Sequence, residues 1–173
     1  MPSPAHVDRL RRLVGPVVTA VPVALVDLLS KDWAVEHLAG RGPVVLVPQF
    51  VRLELGVNAG VAFGMMEHRP SLWPIVAGAA VIAYLLWLAP RIPEPNRATV
   101  LGLGLMLGGA FGNLYDRIWR VVDDGTLWGP GIRRGVVDFI SVGSWPAFNV
   151  ADVALVLGAG LLLRSLWTAL RSK

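Results

Sequence analysis

The stretch Pro146-Ala147-Phe148-Asn149-Val150-Ala151-Asp152-Val153-Ala154-Leu155-Val156-Leu157-Gly158-Ala159-Gly160-Leu161-Leu162-Leu163 decides the fold. Over 147–163 it approaches the roughly 20 apolar residues that cross a bilayer as a helix, yet it carries an acid in its opening turn. An ionised carboxylate on a bilayer-facing segment costs about 2.5–3.5 kcal/mol on the lenient insertion scale, so such a residue usually faces a polar interior and does chemistry or conducts ions. A second acid, Asp138, lies just upstream in Gly135-Val136-Val137-Asp138-Phe139-Ile140-Ser141-Val142. Two neighbouring carboxyls cannot both ionise cheaply, so they share a proton, one serving as base for water and the other as acid for a carbonyl. Asn149, three residues before Asp152, shares its helix face. A plainer alternative stands beside this one: Asp152 caps its helix and Asp138 is a loop acid.

The rest of the chain reads as a membrane protein. Of its 173 residues 54% are hydrophobic, only 16% are charged and seven are Trp, with a mean hydropathy of +0.58. A water-soluble domain of this length rarely has that balance. Segments 13–29, 72–89 and 98–115 join 147–163 as spans. The expected architecture is an all-α membrane protein, a single polytopic domain over 1–173 with four transmembrane helices and a small extracytoplasmic β element. Pro16 and Pro22 interrupt the first span, which membrane helices tolerate. Gly104, Gly108 and Gly112 form a small-residue stripe on the third, allowing close approach of a neighbour. No internal repeat suggests the inverted halves of a transporter.

Charge narrows the function classes. The net charge of +4 comes from fourteen Arg and two Lys spread along loops, without the aromatic-laced basic patch of a nucleic-acid binder. Zero Cys removes thiol nucleophiles, disulfides and thiolate metal sites. His6, His37 and His68 lie outside the spans without metal-protease spacing, so neither metal nor cofactor is expected. After the first span come Ser30, Lys31, Asp32 and Trp33 rather than a small-x-small cleavage pattern, so that span is expected to stay as an anchor. Lys and Arg are denser in 1–12, 90–97 and 164–173 than in 30–71 and 116–146, which favours both termini in the cytoplasm.

Three polar groups fall where spans meet the outer face. Between the first two spans, Val51 to Leu55 alternates polar and apolar residues after Pro48 and before Gly56, as a short strand or hairpin does. It runs into Asn58-Ala59-Gly60-Val61-Ala62-Phe63-Gly64, either a loop bringing backbone and the Asn58 amide to a ligand or an ordinary turn. Asp27, Ser30 and Lys31 share a helical face with the acid first, which favours an ion pair. The rival is a Ser30/Lys31 nucleophile and base, although adjacent helical residues point about 100° apart. Asn113, Asp116, Arg117 and Arg120 share a face at the end of the third span, where Asp and Arg satisfy each other or an Arg and Asn113 hold a carbonyl or head group. A different class of function, an ion-conducting relay through Asp27, Lys31 and Asp152, explains polar residues within spans but not their crowding at one surface.

Taken in order, Asp27 to Lys31, Asn58-Ala59-Gly60-Val61-Ala62-Phe63, the run from Gly108 to Arg117, Val137-Asp138-Phe139-Ile140 and Trp145 to Asp152 resemble the lipoprotein signal peptidases, or signal peptidase II. Five ordered blocks carry the resemblance. It implies a bacterial inner-membrane aspartic protease, four-helical with a small extracytoplasmic β element. Such enzymes cut the signal peptide from diacylglyceryl-modified prolipoproteins just before the lipidated cysteine. Position by position it implies Asp138 and Asp152 as the catalytic dyad and Asn58, Gly60, Asn113, Arg117 and Asn149 as the substrate site. Asp27, Lys31, Gly108 and Asp116 are supporting residues. Membrane lipids are the expected surroundings and a monomer the expected state. The chain departs from the family in Leu28-Leu29-Ser30, where relatives usually carry a Gln and a Thr, and in a longer link from Arg117 to Asp138.

Overall fold

The computed structural model describes residues 4–58, 72–92, 95–123 and 132–171. Its elements in chain order are α1 (Pro4–Leu38), β1 (Val44–Val47), β2 (Val51–Asn58), α2 (Leu72–Leu88), α3 (Arg97–Trp119), β3 (Val121–Asp123), β4 (Ile132–Arg134), β5 (Val136–Val142) and α4 (Val150–Arg171), with a short 3-10 turn at Ala89–Arg91 after α2. Among the described residues, four helices are long and apolar enough to cross a membrane. The expected spans are all present, but three are longer than the sequence indicated. The first and third continue past 29 and 115 to Leu38 and Trp119, while the fourth starts at Val150 and runs to Arg171.

Each difference has a physical cause. α1 passes straight through Ser30, Lys31 and Asp32 because Lys31 is fully buried against Asp27, so the polar residues extend the helix instead of ending it. At 35 residues and about 1.5 Å per residue, α1 exceeds the roughly 30 Å hydrocarbon core and must project beyond it. α4 starts late because Phe148 is claimed by β5: its N–H donates to Ile140 O at 2.9 Å, and its carbonyl accepts from the N–H groups of Phe139 and Ile140. Asn149 and Asp152 then close a reciprocal cap, Asp152 N to Asn149 Oδ1 at 3.0 Å and Asn149 N to Asp152 Oδ2 at 3.3 Å.

The strand expected around 51–55 is the middle of a three-stranded antiparallel sheet of order β1-β2-β5. Register runs from Val51 opposite Val142 to Asn58 opposite Val136, with an irregularity between Leu53 and Gly56 that sets Gly56 opposite Asp138. One face of the sheet packs Leu53, Leu55, Val57, Val137 and Phe139 against Ala34 and Leu38 of the projecting end of α1. The longer link after Arg117 begins and ends as the two-stranded antiparallel ladder β3-β4, and its tip lies outside the described residues.

Within the bundle α3 is the central helix. α1 and α4 pack on two of its faces, with α2 alongside. A Cβ added at Gly108 would stand 2.7 Å from Ala20 O of α1, and one at Gly109 would stand 2.5 Å from Ala151 O of α4. Side chains on the bundle exterior such as Val18, Leu25, Leu29, Val156 and Leu163 are exposed and apolar, as lipid contact requires. Trp33, Trp73, Trp119 and Trp145 are exposed at the end that carries the sheet. At the other end Arg91 and Arg171 stack on Trp87 and Trp167, 4.1 and 4.5 Å from the ring centres. Aromatic side chains therefore mark both interfaces.

Gly109→Ala is expected to push α4 off α3 and destabilise the protein by about 1–3 kcal/mol, the usual cost of overpacking. Gly160→Ala, whose Cβ would meet nothing within 4 Å, is expected to change stability by less than ~1 kcal/mol. Thermal unfolding of the two variants in detergent compares them, and equal unfolding temperatures would contradict the close α3/α4 contact.

Candidate active site

The site lies at the sheet end of the bundle, where four elements converge: the outer half of α1, the last turns of α3, β5 and the first turn of α4. β5 is buried on both faces for most of its length, so Asp138 points inward with only 6% of its surface exposed. Its Oδ1 accepts a hydrogen bond from Asn149 Nδ2 at 2.6 Å and its Oδ2 one from Asn58 Nδ2 at 3.3 Å. Asp152, half-buried, accepts from Asn113 Nδ2 at 2.8 Å through Oδ1 and from the Asn149 backbone through Oδ2. Asn149 thus touches both carboxylates, its side chain on one and its main chain on the other.

Asn113 is held from behind. Its Oδ1 accepts from Lys31 Nζ at 2.9 Å and Asn149 Nδ2 at 3.2 Å, which turns its own Nδ2 toward Asp152. Lys31 and Asp27, both fully buried, pair at 2.7 Å, and Lys31 also reaches Asp116 Oδ2 at 3.1 Å. Asp116 in turn accepts from Arg120 Nε at 2.6 Å, and Arg120 Nη1 meets Asp32 of α1 at 2.6 Å. Arg117 donates through Nη1 to Asn113 O at 3.0 Å, while its buried Nε has no hydrogen-bond acceptor among the described residues.

Burial pushes the Asp138 carboxyl up to about 6, and the charge of Asp152 adds to the shift. Hydrogen bonds from Asn58 and Asn149 and the charge of Lys31 oppose it. The arrangement provides two carboxyls, one of which holds its proton up to a pH of about 6, with amide donors fixing the orientation of both.

Most of the chain matches a family model described as signal peptidase (SPase) II, over residues 19–168. A lipoprotein signal peptidase of Rhodococcus jostii is 43% identical over 163 residues, 92% of this chain and 75% of its own. One of Mycobacterium tuberculosis is 41% identical over 162 residues, 93% of this chain and 73% of its own. The chain belongs to the signal peptidase II family. A solved bacterial membrane enzyme has the same fold, with a TM-score of 0.71 at 22% identity over 91% of this chain and 90% of that one. Membership makes the chain a multi-pass membrane protease.

The structure brings Asp27, Lys31, Asn58, Asn113, Asp116, Asp138, Asn149 and Asp152 into one hydrogen-bonded and ion-paired group. Gly108 is two turns of α3 away and supports the group by letting α1 approach. Gly60 lies outside the described residues. The Asp27/Lys31 pair has the geometry its spacing indicated. Ser30 does not join it: its hydroxyl donates back to Asp27 O at 2.8 Å, and Lys31 Nζ faces Asp27, Asp116 and Asn113 instead. That geometry leaves no Ser/Lys nucleophile and base. Asp116 finds Arg120 as its Arg partner, not the adjacent Arg117, because the i, i+4 spacing puts Arg120 on its own face. Sequence reasoning missed two main-chain donors, Val137 N to Asp116 Oδ2 at 3.2 Å and Ala151 N to Asp27 Oδ1 at 2.8 Å. Backbone amides carry no signature in residue type, so only the fold reveals them.

Proposed function

We propose that this chain is an aspartic endopeptidase that removes the signal peptide from diacylglyceryl-modified prolipoproteins, cleaving before the lipidated cysteine, with Asp138 and Asp152 as its catalytic dyad. The observation that carries the reading is that Asn149 joins two carboxyls from different elements, one of them pushed up to about 6, at the edge of a membrane bundle. Residues 1–173 form one peptidase domain, acting as a monomer with both termini in the cytoplasm and the sheet end outside. The substrate's acyl chains stay in the lipid while its scissile amide reaches the dyad.

The chemistry assigns the proton to Asp138, which burial raises, and the base to Asp152. Ionised Asp152 takes a proton from water as the water oxygen bonds to the scissile carbonyl carbon, and protonated Asp138 gives its proton to the carbonyl oxygen. Collapse of the tetrahedral diol breaks the carbon–nitrogen bond. Asp152 returns its proton to the departing nitrogen and Asp138 regains one from the diol. The products are a carboxyl-terminated signal peptide and a lipoprotein with a free N-terminal cysteine amine. Asn58, Asn113, Asn149 and Arg117 line the substrate site, to which the family resemblance also assigns Gly60.

Asp138→Asn and Asp152→Asn should each abolish cleavage of a diacylglyceryl-modified reporter peptide while the protein still inserts and folds, because Asn keeps the shape but cannot carry the proton. Substantial turnover by either purified variant would sink the dyad assignment. The direction of the Asp138 shift also sets a pH dependence. The charges facing it are Asp152 on α4, Lys31 on α1 and Arg117 on α3. Asp138 must be protonated to act, so kcat/KM should fall as pH rises through about 6. A profile that stays flat across that value contradicts the proton assignment.

Arg117 has a buried Nε without an acceptor among the described residues, beside both carboxylates, which suits it to hold a substrate carbonyl or lipid ester. Losing a hydrogen bond to a charged group costs about 1.5–3 kcal/mol, so Arg117→Lys should raise KM by roughly ten- to a hundred-fold while sparing kcat. Unchanged KM with lost kcat would move Arg117 from binding to the chemical step.

A further inference from the structure

The residue immediately before each dyad acid is held in the same way. Ala151, before Asp152, donates its backbone N–H to Asp27 Oδ1 at 2.8 Å. Val137, before Asp138, donates its backbone N–H to Asp116 Oδ2 at 3.2 Å. The two holding carboxylates come from different helices and meet on one atom, Lys31 Nζ, at 2.7 and 3.1 Å. That ammonium also donates to Asn113 Oδ1 at 2.9 Å, and Asn113 Nδ2 then reaches Asp152 Oδ1 at 2.8 Å. The ammonium thus sits among two carboxylates and one amide oxygen, with every contact made by a fully buried nitrogen.

We infer that Lys31 is a positioning residue: through Asp27 and Asp116 it sets the spacing of the two dyad carboxyls, and through Asn113 it sets the orientation of Asp152. The inference rests on Asp138 and Asp152 being the reactive pair. Lys31 itself lies out of reach of a substrate, at 0% exposure. Its three contacts tie α1 and α3 directly, and through the carboxylates and Asn113 they tie β5 and α4. The chain from this nitrogen to Asp138 runs through Asp116 and the main chain of β5. The chain to Asp152 runs through Asp27 and the main chain of α4, and again through Asn113. An apolar side chain of the same length fills the space but specifies none of these distances.

The test uses Lys31→Met and the double variant Lys31→Met/Asp27→Asn, in which the lost positive and negative charges balance and the oxygen of the introduced amide still accepts from the Ala151 N–H. Unfolding temperature and the affinity of a non-cleavable diacylglyceryl peptide report the fold and the substrate site, and kcat reports the spacing. Both variants are expected to bind the peptide as the parent does and to lose kcat by about a hundred-fold, as small misplacements of reacting groups do. In the single variant the fall of kcat/KM with pH should also move to higher pH, because a positive charge favouring ionised Asp138 has gone. If the double variant regains parental kcat, Lys31 only balances charge and the inference is overturned. It is likewise overturned if kcat falls only in proportion to the folded, peptide-binding fraction, or if neither variant folds. Asp138→Asn in the same assay separates the two levels. Its inactivity keeps the dyad whatever Lys31 shows, and its activity removes the dyad itself.

Discussion

Because α3 carries glycines on two faces, α1 and α4 approach it until main chains touch, and the placement of every polar group at the sheet end follows from that distance. Gly104, Gly108 and Gly112 admit Thr19, Ala20, Val23 and Asp27 of α1, while Gly102 and Gly109 admit Gly158 and Ala151 of α4. Asn113 and Asp116 begin one residue past the last of these glycines. Both therefore meet Lys31 on one side, and Asn113 meets Asn149 and Asp152 on the other. A larger residue at Gly112 would collide with the Asp27 carboxylate itself. In a bilayer no hydrophobic force draws helices together, so this close packing, with the polar contacts it permits, has to hold the bundle.

Such a cluster carries its own cost. Asp27, Lys31 and Asp116 are all fully buried, and breaking one buried pair typically costs about 3–5 kcal/mol because the partner charge is left unpaired. The arrangement avoids that by alternating signs, Asp27, Lys31, Asp116, Arg120 and Asp32, from the interior to the exposed end of the row. Replacing an entire buried set of this kind with apolar residues is often neutral or stabilising. The cluster is better understood through what it holds, namely the backbone on either side of the site.

How far the sequence was legible depended on which side of this boundary a residue lies. The four spans stood out as apolar runs, and Asp27 with Lys31 followed from helical spacing alone. The ends of α1 and α4 did not, because 30–38 and 164–171 look like polar flanks until Lys31 is seen buried and Arg171 is seen stacked on Trp167. β5 escaped for the opposite reason. Val136 to Val142 is enclosed on both faces and so lacks the period-two alternation that marked β2. The small-residue stripe at Gly104, Gly108 and Gly112 was visible as one face of α3, whereas Gly102 and Gly109 do not read as a second face until α4 is in place. Main-chain donors at Val137 and Ala151 leave no trace in a sequence at all.

Burial falls off across the site in a way that suits hydrolysis. Lys31 and Asn149 are fully enclosed, Asp138 is nearly so, Asp152 is half-buried and Asn58 lies at the exposed end of β2. On the proposed reading, a carboxyl pair set deeper would exclude the water it must activate, and one set in bulk solvent would lose the desolvation that raises Asp138 to about 6. The strand and the helix divide that task. β5 carries its acid into the protein interior, where burial raises it, and the first turn of α4 offers main-chain N–H groups and a favourable dipole to the other acid. In the proposed mechanism, two chemically identical side chains thus take different roles from the elements that carry them. The close contact of α3 with both α1 and α4 keeps those elements in register.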